Sequence, residues 1–179
     1  MILELGDPAP DFKLPGTDGK EHALGDYAGA KALAVVFSCN HCPYVQAYEG
    51  RFKALQQDWG PQGFQLLAVN SNDAVDYPED GFEAMVERAA AQGFNFPYLR
   101  DESQAVARAY GAVRTPHVFL FGADRKLAYV GRIDDSWNDP QKVGRRELAE
   151  AVAELVAGKK VSTSETFAAG CTIKWKNKA

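Results

Sequence analysis

Apolar residues follow two rhythms along this chain. Residues 32–37 (Ala-Leu-Ala-Val-Val-Phe) and 66–69 (Leu-Leu-Ala-Val) are short unbroken apolar runs, the pattern of strands covered on both faces. Between them the period changes. Val45, Tyr48, Phe52, Leu55 and Trp59 recur at helical spacing, one stripe of a helix that starts beside Cys39 and Cys42 and closes at Gly60-Pro61. Phe82, Met85, Val86 and Ala89 mark a second helix, ended by Gly93. Asp101 is expected to N-cap a short helix running to about Tyr110 and stopped by Gly111. Residues 118–121 and 127–130 read as two strands joined by a short link, Gly122-Ala123-Asp124-Arg125, which suits an antiparallel hairpin. Leu148, Val152 and Leu155 give a last helix ending near Gly158. Ahead of all this, residues 6–30 are rich in Gly, Pro and Asp and predict an irregular lead-in with a small hairpin turning at Asp18-Gly19.

Alternating strands and helices followed by a hairpin imply an α/β fold: a central mixed sheet with helices on both faces, in one domain spanning residues 1–179. The N-terminal hairpin and a C-terminal tail extend it. The cysteines fall where the first long strand feeds the first helix, and Thr115-Pro116 falls just before the third. Ends of neighbouring strands in an open α/β sheet are where a site forms. Residues 70–80, polar and acidic with Asp73, Asp76, Glu79 and Asp80, read as a solvated insertion.

Composition narrows the function. A net charge of -4 with no long basic run argues against a nucleic-acid partner, and the short basic stretch from Lys174 to Lys178 reads as a solvated end. No segment approaches the roughly 20 apolar residues of a membrane span. The opening Met1 to Pro8 lacks the basic region and apolar run of a signal peptide, so a cytoplasmic location is expected. Three cysteines are too few, and odd in number, for a structural disulfide framework.

The strongest local signal is Cys39-Asn40-His41-Cys42-Pro43. Two cysteines so spaced bring their sulfurs together within one helical turn, so a disulfide can open and close with little backbone motion. Near a helix N-terminus the Cys39 thiolate is favoured by free N–H groups and the helix dipole, and a protonated His41 would favour it further. Pro43 suits the first helical turn. Cys39 is then the attacking thiolate, and Cys42 the thiol that displaces the bound substrate. Zinc is an alternative, with Cys39, His41 and Cys42 as ligands, although His22, His117 and Cys171 show no ligand spacing toward them. An inert buried pair is the other. A cis bond at Thr115-Pro116 would leave backbone groups free to pair with an extended substrate beside the disulfide. A plain strand-entry proline is the simpler reading of that dipeptide alone.

These features together resemble the thioredoxin superfamily. The opening Gly6-Asp7-Pro8-Ala9-Pro10-Asp11-Phe12 is similar to the start of its redoxin branch, and Gly170-Cys171-Thr172-Ile173-Lys174-Trp175 to the tail of a peroxiredoxin-like subgroup. The resemblance covers nearly the whole chain. It implies a cis bond before Pro116, Cys39 as nucleophile, Cys42 as resolving thiol, and a thiol-based donor system with no bound organic cofactor; no metal is expected from the ligand spacing. It also implies departures. Ser38 stands where thioredoxins carry Trp, Leu33 where they carry a buried Asp, and Val36 where peroxiredoxins carry Thr. Arg114 and Arg132 are candidates to support a thiolate, and both read more simply as surface charges.

The remaining candidates divide less clearly. Cys171 is either a third redox thiol or a packing residue. His117 reads as a strand histidine with one satisfied hydrogen bond. Asn40 reads as a local turn and cap residue, and Tyr44 and Trp137 as borders of a groove. The leading function is a thiol–disulfide oxidoreductase acting on disulfide-containing proteins or small molecules, recycled by a reductase or thiol donor. A thiol-dependent peroxidase and a non-enzymatic redox sensor are the alternatives. An exposed sheet edge is all that would support a dimer.

Overall fold

The structure, a computed structural model, describes residues 2–177. Met1 and Lys178 of the expectations above therefore lie outside the described residues. The lead-in forms the hairpin β1 (Lys13–Pro15) and β2 (Glu21–Ala23), paired antiparallel. Then follow β3 (Ala32–Ser38), α1 (Pro43–Trp59), β4 (Phe64–Asn70), α2 (Phe82–Gln92) and β5 (Tyr98–Arg100). Next come α3 (Ala105–Tyr110), β6 (Arg114–Thr115), β7 (His117–Gly122), β8 (Leu127–Gly131), α4 (Glu147–Val156) and β9 (Cys171–Thr172).

The central sheet has the order β5-β4-β3-β7-β8. β4 runs parallel to β3 and to β5, while β7 is antiparallel to both β3 and β8. The unbroken apolar run of β3 is explained by this central place. Its side chains alternate between two cores. Ala32, Ala34 and Val36 face Tyr48 and Phe52 of α1, Met85 of α2 and Leu148 of α4. Leu33, Val35 and Phe37 face the other way, toward Phe12, Leu14 and Tyr110 of α3. The small residues on the first face leave room for three helices. Each fully buried Leu, Val or Phe contributes about 1.5–3 kcal/mol, so β3 is fixed in register and the position of its C-terminal end with it.

The structure departs from the sequence expectations at several places. β5 was not expected; it is three residues long and follows Pro97, too short for a periodic signal. The helix after Asp101 starts only at Ala105, because Gln104 takes a left-handed conformation with φ of 63°. Asp101 still serves it from outside, accepting the N–H groups of Val106 and Ala107. Residues 70–80 are solvated only in part: Asn70, Ser71, Asn72, Asp73 and Asp80 are buried, while Val75, Asp76, Pro78 and Glu79 are exposed. The basic end is docked yet partly solvated, with Trp175 exposed and Lys174 and Lys176 half-buried. Ile173 is 4% exposed in the second core, and the Lys176 ammonium pairs with Glu102 at 2.9 Å. Both sheet edges are touched by the chain itself, Gly16 bridging Leu99 of β5 and Glu165 bridging Val130 of β8, which blunts them as templates for a second copy. Among the described residues, no helix is long and apolar enough to cross a membrane.

Candidate redox site

β3 ends at Ser38 and α1 begins at Pro43, so both cysteines occupy the junction. Cys42 is the N-cap of α1, with extended backbone, and Pro43 fills the first helical position, where a missing N–H costs nothing. β7 lies beside β3, which carries Thr115 and Pro116 to the same end of the sheet. The Thr115-Pro116 bond is cis. Cys39 Sγ lies 3.5 Å from Thr115 Oγ1, and Cys42 Sγ lies 3.2 Å from Thr115 O. The third thiol arrives from the tail: Cys171 Sγ is 2.8 Å from Cys42 Sγ. All three thiols are free. The site thus brings together Cys39, Cys42, Thr115, Pro116 and Cys171.

The electrostatics reverse one expectation. The Cys42 thiol donates to Thr115 O at 3.2 Å and toward Cys171 Sγ at 2.8 Å, so Cys42 holds its proton in this arrangement. Cys39 is pushed up, by the neighbouring Cys42, by burial and by the Asp80 carboxylate it faces. Helix position alone does not single out Cys39. Cys171 is also raised, by burial and by Cys42 beside it, with Lys174 and Arg114 pulling the other way.

His41 does not stand alone beside the thiols. Its Nδ1 pairs with Asp80, and its ring stacks on Tyr77 at 5.7 Å. Asp80, 0% exposed, also accepts the Asn40 N–H at 2.6 Å and the Asn72 amide at 3.0 Å. Sequence reasoning missed this carboxylate because it sits in a polar stretch with no period. Its position directly before Gly81, at the start of α2, was the available signal. Cys39, His41 and Asp80 place one ligand atom each within 4.8 Å of one another. That is the set that could hold a metal, and it differs from the Cys39, His41, Cys42 set read from the sequence. Asn40 does not cap α1; its side chain accepts from Tyr98 Oη at 2.7 Å and donates to Glu79 O at 2.8 Å, pinning the loop.

The other candidates are accounted for. His117 is buried and accepts the Val113 N–H through Nδ1 at 3.3 Å. Burial, with Arg114 nearby, lowers its pKa to about 4, so it is neutral at pH 7. Arg132 is bound to Glu147, away from the thiols. Tyr44 packs on the cysteine cluster and its ring meets that of Trp137 at 4.1 Å, so both border the site. Val36 lies wholly inside the first core and offers no hydroxyl; the hydroxyl at Cys39 comes from Thr115.

Residues 5–130 match the AhpC/TSA family. The chain belongs to the AhpC/TSA family. This AhpC/TSA chain has the thioredoxin-like fold of the redoxin branch. It is similar to a thiol-disulfide oxidoreductase ResA of Geobacillus thermodenitrificans, at 32% identity over 70% of this chain and 67% of that protein. It is also similar to a peroxiredoxin Bcp of Xanthomonas campestris, at 26% identity over 87% of this chain and 96% of that one. A solved structure from Geobacillus kaustophilus, described as an uncharacterized conserved protein, superposes with a TM-score of 0.93 at 39% identity, covering 99% of this chain and 95% of that one. The last of these extends the likeness past the AhpC/TSA region, through the tail that carries Cys171.

Proposed function

We propose that the chain is a thiol–disulfide oxidoreductase in which Cys39 and Cys42 form the exchanging pair. The observation that carries this reading is the meeting of the two buried cysteines with the Thr115-Pro116 turn, Cys39 Sγ lying 3.5 Å from Thr115 Oγ1 and Cys42 Sγ 3.2 Å from Thr115 O. Cys39 attacks a substrate disulfide as its thiolate, and its proton passes to the departing substrate sulfur. The first substrate sulfur leaves, and a Cys39–substrate mixed disulfide forms. Cys42 then loses its proton and attacks the Cys39 sulfur; the Cys39–Cys42 bond forms and the second substrate thiol departs, two electrons having passed to the substrate. The substrates are disulfide-bonded proteins or small disulfides, and a reductase or thiol donor restores the dithiol. A reducing compartment, the cytoplasm, suits a protein that works from the dithiol form.

A second reading, thiol-dependent peroxidase, is favoured by the Thr115 hydroxyl 3.5 Å from Cys39 Sγ, which could orient a peroxide. One experiment separates the two. Reduced wild-type protein and a Cys42→Ser variant are mixed with a disulfide peptide or with hydrogen peroxide, and thiol loss is followed by rapid alkylation and intact mass. Fast exchange with the peptide is expected, together with a peptide adduct on Cys39 in Cys42→Ser. That adduct builds more slowly near pH 7 than at pH 9, because burial and the Asp80 carboxylate push the Cys39 thiol up. Reaction with peroxide alone, leaving a sulfenic acid on Cys39, overturns the oxidoreductase reading.

A further inference from the structure

β9 lies where an extended substrate would lie. It pairs antiparallel with β6, Arg114 with Thr172 and Thr115 with Cys171. This is strand addition beside the cysteine pair, with backbone pairing for affinity and a side chain delivered into the site. The delivered side chain is a thiol, 2.8 Å from Cys42 Sγ. The surroundings are built for this pose. Gly170 has no side chain to keep its backbone off Thr115 O, and Ile173 anchors in the second core. Lys174 is bound through both its backbone groups, its N–H by Asn72 Oδ1 at 2.9 Å and its carbonyl by the Asp73 N–H at 2.8 Å. Beneath this strand Cys39 is 1% and Cys42 0% exposed, while Cys171 is partly open to solvent.

We propose that β9 is a built-in substrate strand and that Cys171 is a third redox thiol, which exchanges with the Cys39–Cys42 disulfide to give a Cys42–Cys171 disulfide. The proposal rests on the oxidoreductase reading above. In the step, the Cys171 thiolate attacks Cys42 Sγ, the Cys42–Cys171 bond forms, the Cys39–Cys42 bond breaks, and the electron pair leaves on Cys39, which picks up the proton that Cys171 gave up. No net oxidation occurs; the two-electron oxidation was supplied earlier by the substrate disulfide. Lys174 and Arg114 favour the Cys171 thiolate that attacks. The consequence is a division of labour. A disulfide substrate must lift β9 to reach Cys39, whereas a reducing partner meets an oxidised Cys171 at the surface with the strand in place.

The test uses the full chain. Reduced wild type, Cys39→Ser and Cys42→Ser are mixed with excess disulfide peptide, quenched in acid, digested with trypsin without reduction and analysed by mass spectrometry. Cys39 and Cys42 share the tryptic peptide 32–51, and Cys171 lies in the peptide 161–174, so the two disulfides give different products. The wild type is expected to yield both the closed 32–51 peptide and the 32–51/161–174 pair. Cys39→Ser should form the Cys42–Cys171 link at least tenfold faster than Cys42→Ser forms a Cys39–Cys171 link. A Cys39→Ala variant repeats the measurement in case serine perturbs the fold. If the wild type exchanges with the peptide and closes Cys39–Cys42 while neither position-39 variant goes beyond a peptide adduct on Cys42, the relay is overturned and the oxidoreductase reading stands. A wild type that does not exchange at all overturns both.

Discussion

Gly170 shows how one missing atom sets the site. A Cβ there would stand 2.2 Å from Thr115 O and 3.0 Å from Pro116 N, both backbone atoms that cannot swing away. Forcing it in costs about 1–3 kcal/mol, so in Gly170→Ala the tail strand should lift off. The measurement is iodoacetamide labelling of Cys42 in the reduced protein, expected to rise at least tenfold over wild type. Unchanged labelling would contradict the close approach. At this scale the sequence was partly legible. Cys39, Cys42, Thr115 and Pro116 are legible from motif and placement, and Cys171 stays between two roles. The burial of Asp80 is not legible, because it depends on His41 and on amide partners from Asn40 and Asn72, which no local pattern announces.

At the level of elements, the tail is held by a side chain from another part of the chain. The Gln104 amide donates to Ser71 O at 2.7 Å and Lys174 O at 2.9 Å, and its oxygen accepts the Lys176 N–H at 3.0 Å. With hydrogen bonds worth about 1 kcal/mol each and a buried Ile173 worth about 2, docking of the tail is worth a few kcal/mol. That keeps it closed at rest and within reach of displacement by a substrate strand. Gln104→Ala should therefore expose the tail, seen as tryptic cleavage after Lys174 at least tenfold faster than in wild type, with cleavage elsewhere unchanged. Equal cleavage would mean that Gln104 does not hold the strand. The long elements were legible because their apolar period runs over many residues. β5, β6 and β9 have two or three residues each, too few for a period, and exist because a neighbouring strand supplies their hydrogen bonds.

For the molecule as a whole, His117 makes one contribution to the pH dependence of stability. Its pKa of about 4 lies below the free value of 6.5. Between those values the unfolded chain binds the proton and the folded one does not, so folding is favoured above pH 6.5 and that contribution is lost as pH falls toward 4. The shift corresponds to at most about 3 kcal/mol. The urea midpoint should drop from pH 7 to pH 4.5, and His117→Gln should show a smaller drop; equal drops would remove His117 as the source. The sequence by itself determined the α/β order, the two-faced β3 and the placing of the cysteine pair at a strand–helix junction, because each rests on local periodicity or on residues close in the chain. Only the tertiary structure decided that the Cys42 thiol meets Thr115 O, that Asp80 stands behind His41, and that Cys171 meets Cys42. Each of these depends on the distance between groups remote in sequence, and that distance is fixed by sheet register and by the docking of the tail.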